Sequence, residues 1–430
     1  MFSKFFTVLI NHKGREGDMS IVSTKKNFNK NIYLFLVINI LASFSMGIFN
    51  MFVGIYLKEI GYQENFVGNI LSINTFAIAI ASIPSAYLIE KIGRKRSFNL
   101  GFIAIAVGSS AIVLFDNSIL IMLMAILNGC GMSIKSTAEG MYLTENTSEE
   151  ERVSVFSINF IASNIGMMSA SFLGGVLSSY MSSYFTSTQA ITYIFIMSSI
   201  LSLIALLPIF FMKEPSNHKP RSFKQCVEGY LNITSKKVIV FMIYNFCIGA
   251  GAGMVVPFFS VYLKYSMNIS DGIVGTILSI SQFGCILGGA VIPFIAGKIG
   301  KPRTVILSQL LSIPFLISIA FPQGIGLITL SFFMRNGLMN MAMPLIQNLS
   351  MEMVDEKDRT NLSSIMSLSS NVSRAIGIAI GGFMMESISY NSPYYLTIVI
   401  YLGAIFMFAY IYREQLKHKS KESLRAKESM

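Results

Sequence analysis

Long apolar runs constrain this chain more than any other feature. A helix that crosses a bilayer needs about 20 consecutive, mostly apolar residues. Twelve such runs follow one another, at 32–57, 66–89, 97–115, 118–141, 155–180, 188–212, 238–263, 272–296, 304–321, 324–350, 362–388 and 392–412. Inside lipid the backbone must satisfy its own hydrogen bonds, so spanning segments are helices or strands of a closed barrel, and runs this long are helices. Short links make consecutive helices antiparallel neighbours. The expected fold class is all-α integral membrane, with twelve transmembrane helices. Composition points the same way. Hydrophobic residues make up 53% and charged residues only 13%, about half the charged share of a soluble domain, which excludes a disordered chain and argues against a soluble enzyme.

On a soluble protein a net charge of +11 would suggest nucleic acid. Here it is a topology signal, and no nucleic acid partner is expected, because Lys and Arg collect on the cytoplasmic side of membrane proteins. With the N-terminus inside, 28 of the 33 Lys and Arg fall in cytoplasmic segments. Only Lys58 and Lys264 lie outside, and Lys135, Arg335 and Arg374 lie in spans. Both termini are therefore expected in the cytoplasm. The chain divides into a tail (1–30), a six-helix bundle (31–212), a basic middle loop (213–237), a second six-helix bundle (238–413) and a basic tail (414–430) suited to anionic lipid. The run Phe5–Ile10 is too short for a cleaved leader, and either Met1 or Met19 serves as the start. Cys130, Cys247 and Cys285 fall in spans and Cys226 in the middle loop, so no disulfide is expected. His12, His218 and His418 are scattered, so no metal site and no cofactor is expected. A Trp-free chain rich in Ile, Asn and Lys fits an AT-rich bacterial source and a cell-membrane location.

The two bundles are copies. Asn39 aligns with Asn245 and Tyr56-Leu57-Lys58 with Tyr262-Leu263-Lys264, at an offset of 206. The offset then becomes 207, matching Val67-Gly68 to Val274-Gly275, Lys91-Ile92-Gly93 to Lys298-Ile299-Gly300, Arg152 to Arg359, Asn164 to Asn371 and Gly174-Gly175 to Gly381-Gly382. Six spans is an even number, so both copies enter the membrane in the same sense, a parallel repeat about an axis along the membrane normal. The loop after the second helix reads Ala86-Tyr87-Leu88-Ile89-Glu90-Lys91-Ile92-Gly93-Arg94-Lys95. It resembles the G-x-x-x-D-R-x-G-R-R/K loop of the major facilitator superfamily, with a weaker copy at Lys298–Arg303. The resemblance covers about residues 31–413. It implies a secondary transporter whose first, fourth, seventh and tenth helices line a central cavity.

Ionisable residues inside a bilayer are costly and mark function by default. Lys135 and Glu139 stand i,i+4 on the fourth helix and can neutralise each other. They read either as a local pair or as a substrate or proton site, and Glu139 is the best carrier for a coupling proton. Arg335 and Arg374 have no acid well inside the spans of their own half. Each either meets a carboxylate or phosphate on the cargo, whose geometry suits a guanidinium fork, or caps carbonyls or reaches Glu139. Arg374 shares a face with Ser367 and Asn371. Further polar stripes are Asn39, Ser43 and Asn50 in the first helix, Asn245 in its copy, Asn336 and Asn340 in the tenth, and Gln282 in the eighth. Such stripes line a cavity or glue helices together, and the repeat favours the cavity for the first and tenth.

A charge cluster is expected to gate the cytoplasmic face. Tyr142, Glu145 and Arg152 resemble the Y-x-x-E-x-x-P-x-x-x-R-G pattern of sugar porters, and Glu352 and Arg359 repeat its acid-to-Arg spacing. In the outward-facing state the expected pairs join Glu145 and Glu352 to Arg94, Arg96, Lys298 or Arg303, beside Glu90, Lys91, Gly93 and Lys95, and they break when the inside opens. The alternative is ordinary solvated loop charges. In the fifth helix the antiporter signature G-x-x-x-G-P-x-x-G-G stands as Gly166–Gly175 with Ala170-Ser171 where Gly-Pro belongs, which gives no support to proton antiport. No G-x-x-x-x-G-K-[ST] loop occurs, so ATP-driven pumping in this chain is out. No nucleophile–base or metal constellation marks an enzyme. The expected function is transport of a small organic solute, neutral or anionic by preference, through alternating access in a monomer. The alternatives are a proton-coupled drug or metabolite exporter and, remotely, a transporter-like sensor.

Overall fold

The computed structural model describes residues 29–212, 236–321, 324–354 and 359–413. The tails, most of the middle loop, the three histidines, Cys226 and both candidate start methionines lie outside the described residues. Twelve rods run back and forth: α1 (Lys30–Glu59), α2 (Glu64–Ile92), α3 (Arg94–Ile112), α4 (Ser118–Glu145), α5 (Glu149–Met181) and α6 (Ser187–Ile204, continued by Leu206–Phe211). The second set is α7 (Lys236–Val255), α8 (Asp271–Ile299), α9 (Lys301–Ala320), α10 (Ile325–Met341, continued by Met343–Met351), α11 (Arg359–Ser387) and α12 (Ser392–Ile411). Among the described residues nine are long and apolar enough to cross a bilayer. The others fall short for readable reasons: α3 opens on Arg94-Lys95-Arg96, α10 breaks at Ala342, and α11 carries a polar stripe.

Polar residues beyond the apolar runs set the helix ends. The Asn117 side chain accepts from the amides of Ile119 and Leu120 to start α4, and capping boxes at Ser148/Glu151 and Thr186/Gln189 start α5 and α6. Such caps satisfy amides that the helix cannot. The tight corners α2–α3 and α8–α9 turn on Gly93 (φ 86°) and Gly300 (φ 88°), a backbone region open essentially to glycine alone. Beyond Val255, Pro257 lacks the amide that a continuing helix requires. The rest of α7 passes through a 3-10 turn (Val256–Phe258), a helical turn (Phe259–Val261) and a π-turn (Tyr262–Ser266).

The repeat reaches into individual hydrogen bonds. The Tyr56 hydroxyl donates to the Val113 carbonyl and its copy Tyr262 to that of Ile319. The Asn74 amide donates to the Ala125 carbonyl, and Ser281 donates to Phe332 at the corresponding places. The halves meet along α2–α11 and α5–α8. We call the end holding Gly93 and Gly300 the basic face, and the other the opposite face. Toward the opposite face one apolar core draws on both halves, with Met51, Val67 and Ile70 beside Val274, Ile277 and Ile378. Toward the basic face it divides: Phe35, Phe98 and Tyr142 pack in the first half, and Phe241, Tyr244 and Phe408 in the second.

Helix register shows where the halves part. Near the opposite face the backbones touch, Gly68 on Gly382 and Gly175 on Gly275, each so close that an added Cβ would stand 2.9 Å from the partner Cα. Small residues permit such crossings. Toward the middle, the Ser72 hydroxyl donates to the Ala375 carbonyl at 2.8 Å. Two turns further on, the same register would set Ile80 against Ser367, yet Ile80 is 69% exposed and Ser367 is exposed. The other seam behaves alike, with Phe156 and Phe294 exposed at matching levels. The molecule is sealed at the opposite face and splayed at the basic face.

Candidate functional site

The first half places a polar network within the membrane-spanning region. Lys135 Nζ lies 2.6 Å from Glu139 Oε2 and donates at 2.8 Å to Asn39 Oδ1. The Asn39 amide donates to Asn159 Oδ1 at 2.6 Å and to Ser163 Oγ at 2.7 Å, and the Asn159 amide donates to Glu139 Oε1 at 2.5 Å. Ser43 donates to Asn39 at 3.5 Å. The i,i+4 spacing on α4 makes the pair, and α1 and α5 close the ring around it. Both charged side chains keep some access, 12% for Lys135 and 15% for Glu139. Asn159 and Ser163 were not singled out from sequence, although their i,i+4 spacing on α5 was a signal available there.

The second half keeps the scaffold of this network and drops its charge. Asn245, the copy of Asn39, donates to the Met366 carbonyl at 3.2 Å. The positions corresponding to Lys135 and Glu139 are Ala342 and Ile346, both buried. Its charges stand elsewhere. Arg335 is 3% exposed and occupies the place that Asn128 takes in the first half. Asn128 is fully bonded to Asn74, Ser109 and the Ile105 carbonyl. Arg335 instead donates from Nη2 to the Tyr401 hydroxyl at 3.4 Å and lies 5.3 Å from the Phe259 ring. Arg374 is exposed on α11, on the face that also exposes Ser363 and Ser367, while the apolar Ile376, Ile380 and Phe383 are exposed on the far side of the helix. Arg335, Arg374 and Tyr401 lie within electrostatic range of one another. Among the described residues neither arginine has a carboxylate partner, and Glu139 is taken by Lys135 and Asn159.

The remaining polar candidates differ in exposure and partners. Asn50 is exposed, and Gln282 and Asn371 are half-buried. Asn336 donates to the Ser281 carbonyl and Asn340 to Asn336, so the α10 stripe stitches that helix to α8 and to itself.

Two charge pairs at the basic face each lie inside one half. Arg94 forms a forked pair with Glu145, at 2.5 and 3.1 Å. Glu352 meets Lys301 at 2.5 Å, not Lys298 or Arg303. Lys301 is the copy of Arg94, so one pair is built twice, and continuing the repeat by one residue past Gly300 was the signal for it. Lys298 lies over the Phe294 ring at 4.1 Å, Lys95 donates to the Phe210 carbonyl, and Arg359 to that of Met351. Glu90 is half-buried, Lys91 is exposed, and Arg152 is half-buried in the first turn of α5. Tyr142 is fully buried against Phe35 and Phe98, so its ring is packing.

Charged side chains also join the halves at the opposite face, which sequence reasoning left empty. Glu59 pairs with Lys264 at 3.0 Å and accepts from Tyr265. Glu64 pairs with Lys58 and accepts from Tyr390. Asp271 pairs with Lys264 at 2.9 Å and accepts from Ser178 at 2.6 Å. The Gly272 amide donates to Ser179 and, at the corresponding place, the Asn65 amide donates to Glu386. Burial and then Glu64 push the Tyr390 hydroxyl above its ordinary value.

The profile of the Major Facilitator Superfamily matches residues 35–242 and again 241–429. The chain belongs to that superfamily. Among curated relatives, an uncharacterized MFS-type transporter of Bacillus subtilis, YqjV, is 26% identical over 43% of this chain and 44% of its own length. The quinolone resistance protein NorA of Staphylococcus aureus is 27% identical over 44% of this chain and 47% of its own. The galactose-proton symporter of Escherichia coli is 28% identical over 34% of this chain and 30% of its own. The chain thus aligns with less than half the length of these curated relatives. Among solved structures, the nucleoside transporter NupG superposes with a TM-score of 0.73 at 15% identity, covering 89% of this chain and 99% of that one. A bacterial homologue of the human lysosomal transporter Spinster gives 0.71 at 13% identity, over 89% and 96%. Superfamily membership makes the chain a multi-pass membrane protein of a transporter family.

Proposed function

We propose that this protein is a secondary transporter that carries a small organic solute across the cell membrane by alternating access, with both termini in the cytoplasm. The observation that carries the reading is the single apolar core at the opposite face dividing into two toward the basic face. Repeat halves that rock about a central site have this form when one face is shut. With the basic face cytoplasmic, the state is inward-open. Arg94–Glu145 and Lys301–Glu352 then stiffen each half during the rocking, and the Glu59, Glu64 and Asp271 contacts form the outer gate. The protein acts as a monomer, without a cofactor.

Single cysteines in a background lacking the native ones test this. In oriented vesicles Ser367→Cys reacts with a bulky thiol reagent from the cytoplasmic side, and Ser178→Cys becomes reactive from outside in a fraction of molecules. Labelling of Ser178→Cys that never occurs at any temperature, pH or solute mixture would sink alternating access. A second reading, proton-coupled efflux, draws on the Glu139 network and on the likeness to NorA. It requires a pH gradient to drive exchange between the two labelled states, and Glu139→Gln to abolish that drive.

A further inference from the structure

We propose that Arg374, backed by Arg335, forms an oxyanion site in the cavity, so that the cargo carries a carboxylate or phosphate group. This rests on the transport reading and names its solute class. Ala375, the next residue, takes the Ser72 hydrogen bond that ties the halves together at mid-membrane. Arg374 therefore stands where the halves begin to diverge, about 20 Å along the helix from its Ser387 end. It is exposed there, on the polar face of α11.

Symmetry singles these two arginines out. Much of the scaffold follows the repeat, while the interior charges break it: Arg374 corresponds to Met167, and Arg335 to the fully bonded Asn128. Arg335 is 97% shielded, and its Nε has no acceptor among the described residues. Two guanidinium groups within the membrane-spanning region without a carboxylate, one of them shielded from water, are costly. Their cost falls when an anion enters, because guanidinium meets carboxylate or phosphate with paired donors. Arg374 makes the contact. Arg335 is a positioning residue that holds Tyr401 and strengthens the positive field without being reached by solvent. In the first half Lys135 and Glu139 pair with each other, so that half does not offset the field.

The test uses the full-length protein in lipid nanodiscs, with thermal midpoints read against inorganic phosphate, glucose 6-phosphate, benzoate, succinate, glucose and tetraphenylphosphonium. A ligand that binds the folded state raises the midpoint by mass action. At least one oxyanion is expected to stabilise the wild type. Its apparent Kd should rise tenfold or more in Arg374→Ala and recover in part in Arg374→Lys, and Arg335→Lys should have a smaller effect. A response confined to the phosphates or to the carboxylates names the head group. The proposal fails if no oxyanion shifts the midpoint, if Arg374→Ala leaves the shift unchanged, or if only glucose or the lipophilic cation stabilises. If it fails while Ser178→Cys and Ser367→Cys still alternate in labelling, the transporter reading stands and only the solute class is wrong.

Discussion

Lys135 is tolerable inside the membrane because its charge is answered about one helical turn away and two of its three donors are used: Glu139 takes one and Asn39 another. Removing one partner of a buried pair costs about 3–5 kcal/mol. Here both groups keep some access to the cavity, so about 2 kcal/mol is the proper scale once screening is allowed for. Lys135→Met and Glu139→Gln should each lower the thermal midpoint. The double variant should lose clearly less than the two singles added together, because no orphaned charge remains. Strict additivity in that cycle would mean that the pair does not interact. The i,i+4 pair was legible in the sequence because helix periodicity alone places it. Asn159 and Tyr401 were not legible as partners, since no local rule says which face of one helix meets which face of another.

At the scale of the element, apolar runs located the rods because burial in lipid demands length and continuity. They located the ends less well. The run at 155–180 misses the first turn of α5, which starts at Glu149 because its capping residues are polar. Glycine is the other element-scale device. Gly93→Ala forces a side chain into a region that costs about 1–3 kcal/mol, and Gly300→Ala should cost the same, since the two corners are copies. Both should lower the thermal midpoint, whereas Gly140→Ala, which meets no atom within 4 Å, should not. A different outcome is expected where glycine serves a crossing. Gly275→Val wedges α8 away from α5, because even a Cβ there meets the Ser171 carbonyl at 2.2 Å. That wedge acts only while the opposite face is shut, so it should raise thiol labelling of Ser178→Cys. Unchanged labelling would show that the seam yields by bending instead.

On the proposed alternating-access reading the whole molecule balances two seals, of which the one at the opposite face is formed in this structure. The repeat foretold two alike halves, and the Lys and Arg count foretold a basic face, but neither said which face would be closed. That depends on contacts between halves that are distant in sequence, such as Glu59 with Lys264 and Glu64 with Tyr390. Interactions made in one state but not the other set the population ratio. Glu59→Gln combined with Tyr390→Phe removes contacts of the shut opposite face while leaving Lys58–Glu64 and Lys264–Asp271 inside their own halves. Partly exposed pairs of this kind are worth about 0.5–1 kcal/mol each, and about 1.4 kcal/mol shifts an equilibrium tenfold. The direction follows from which face loses contacts: the variant should populate the state open at the opposite face and shut at the basic one. Spin labels at Ile80→Cys and Ser367→Cys, both exposed across the gap, should then report a second, shorter distance that grows several-fold over the parent. Glu145→Gln breaks a pair internal to one half and should leave that distance distribution where it was. If the two variants respond alike, the opposite-face contacts are ornaments of the fold and do not hold the gate.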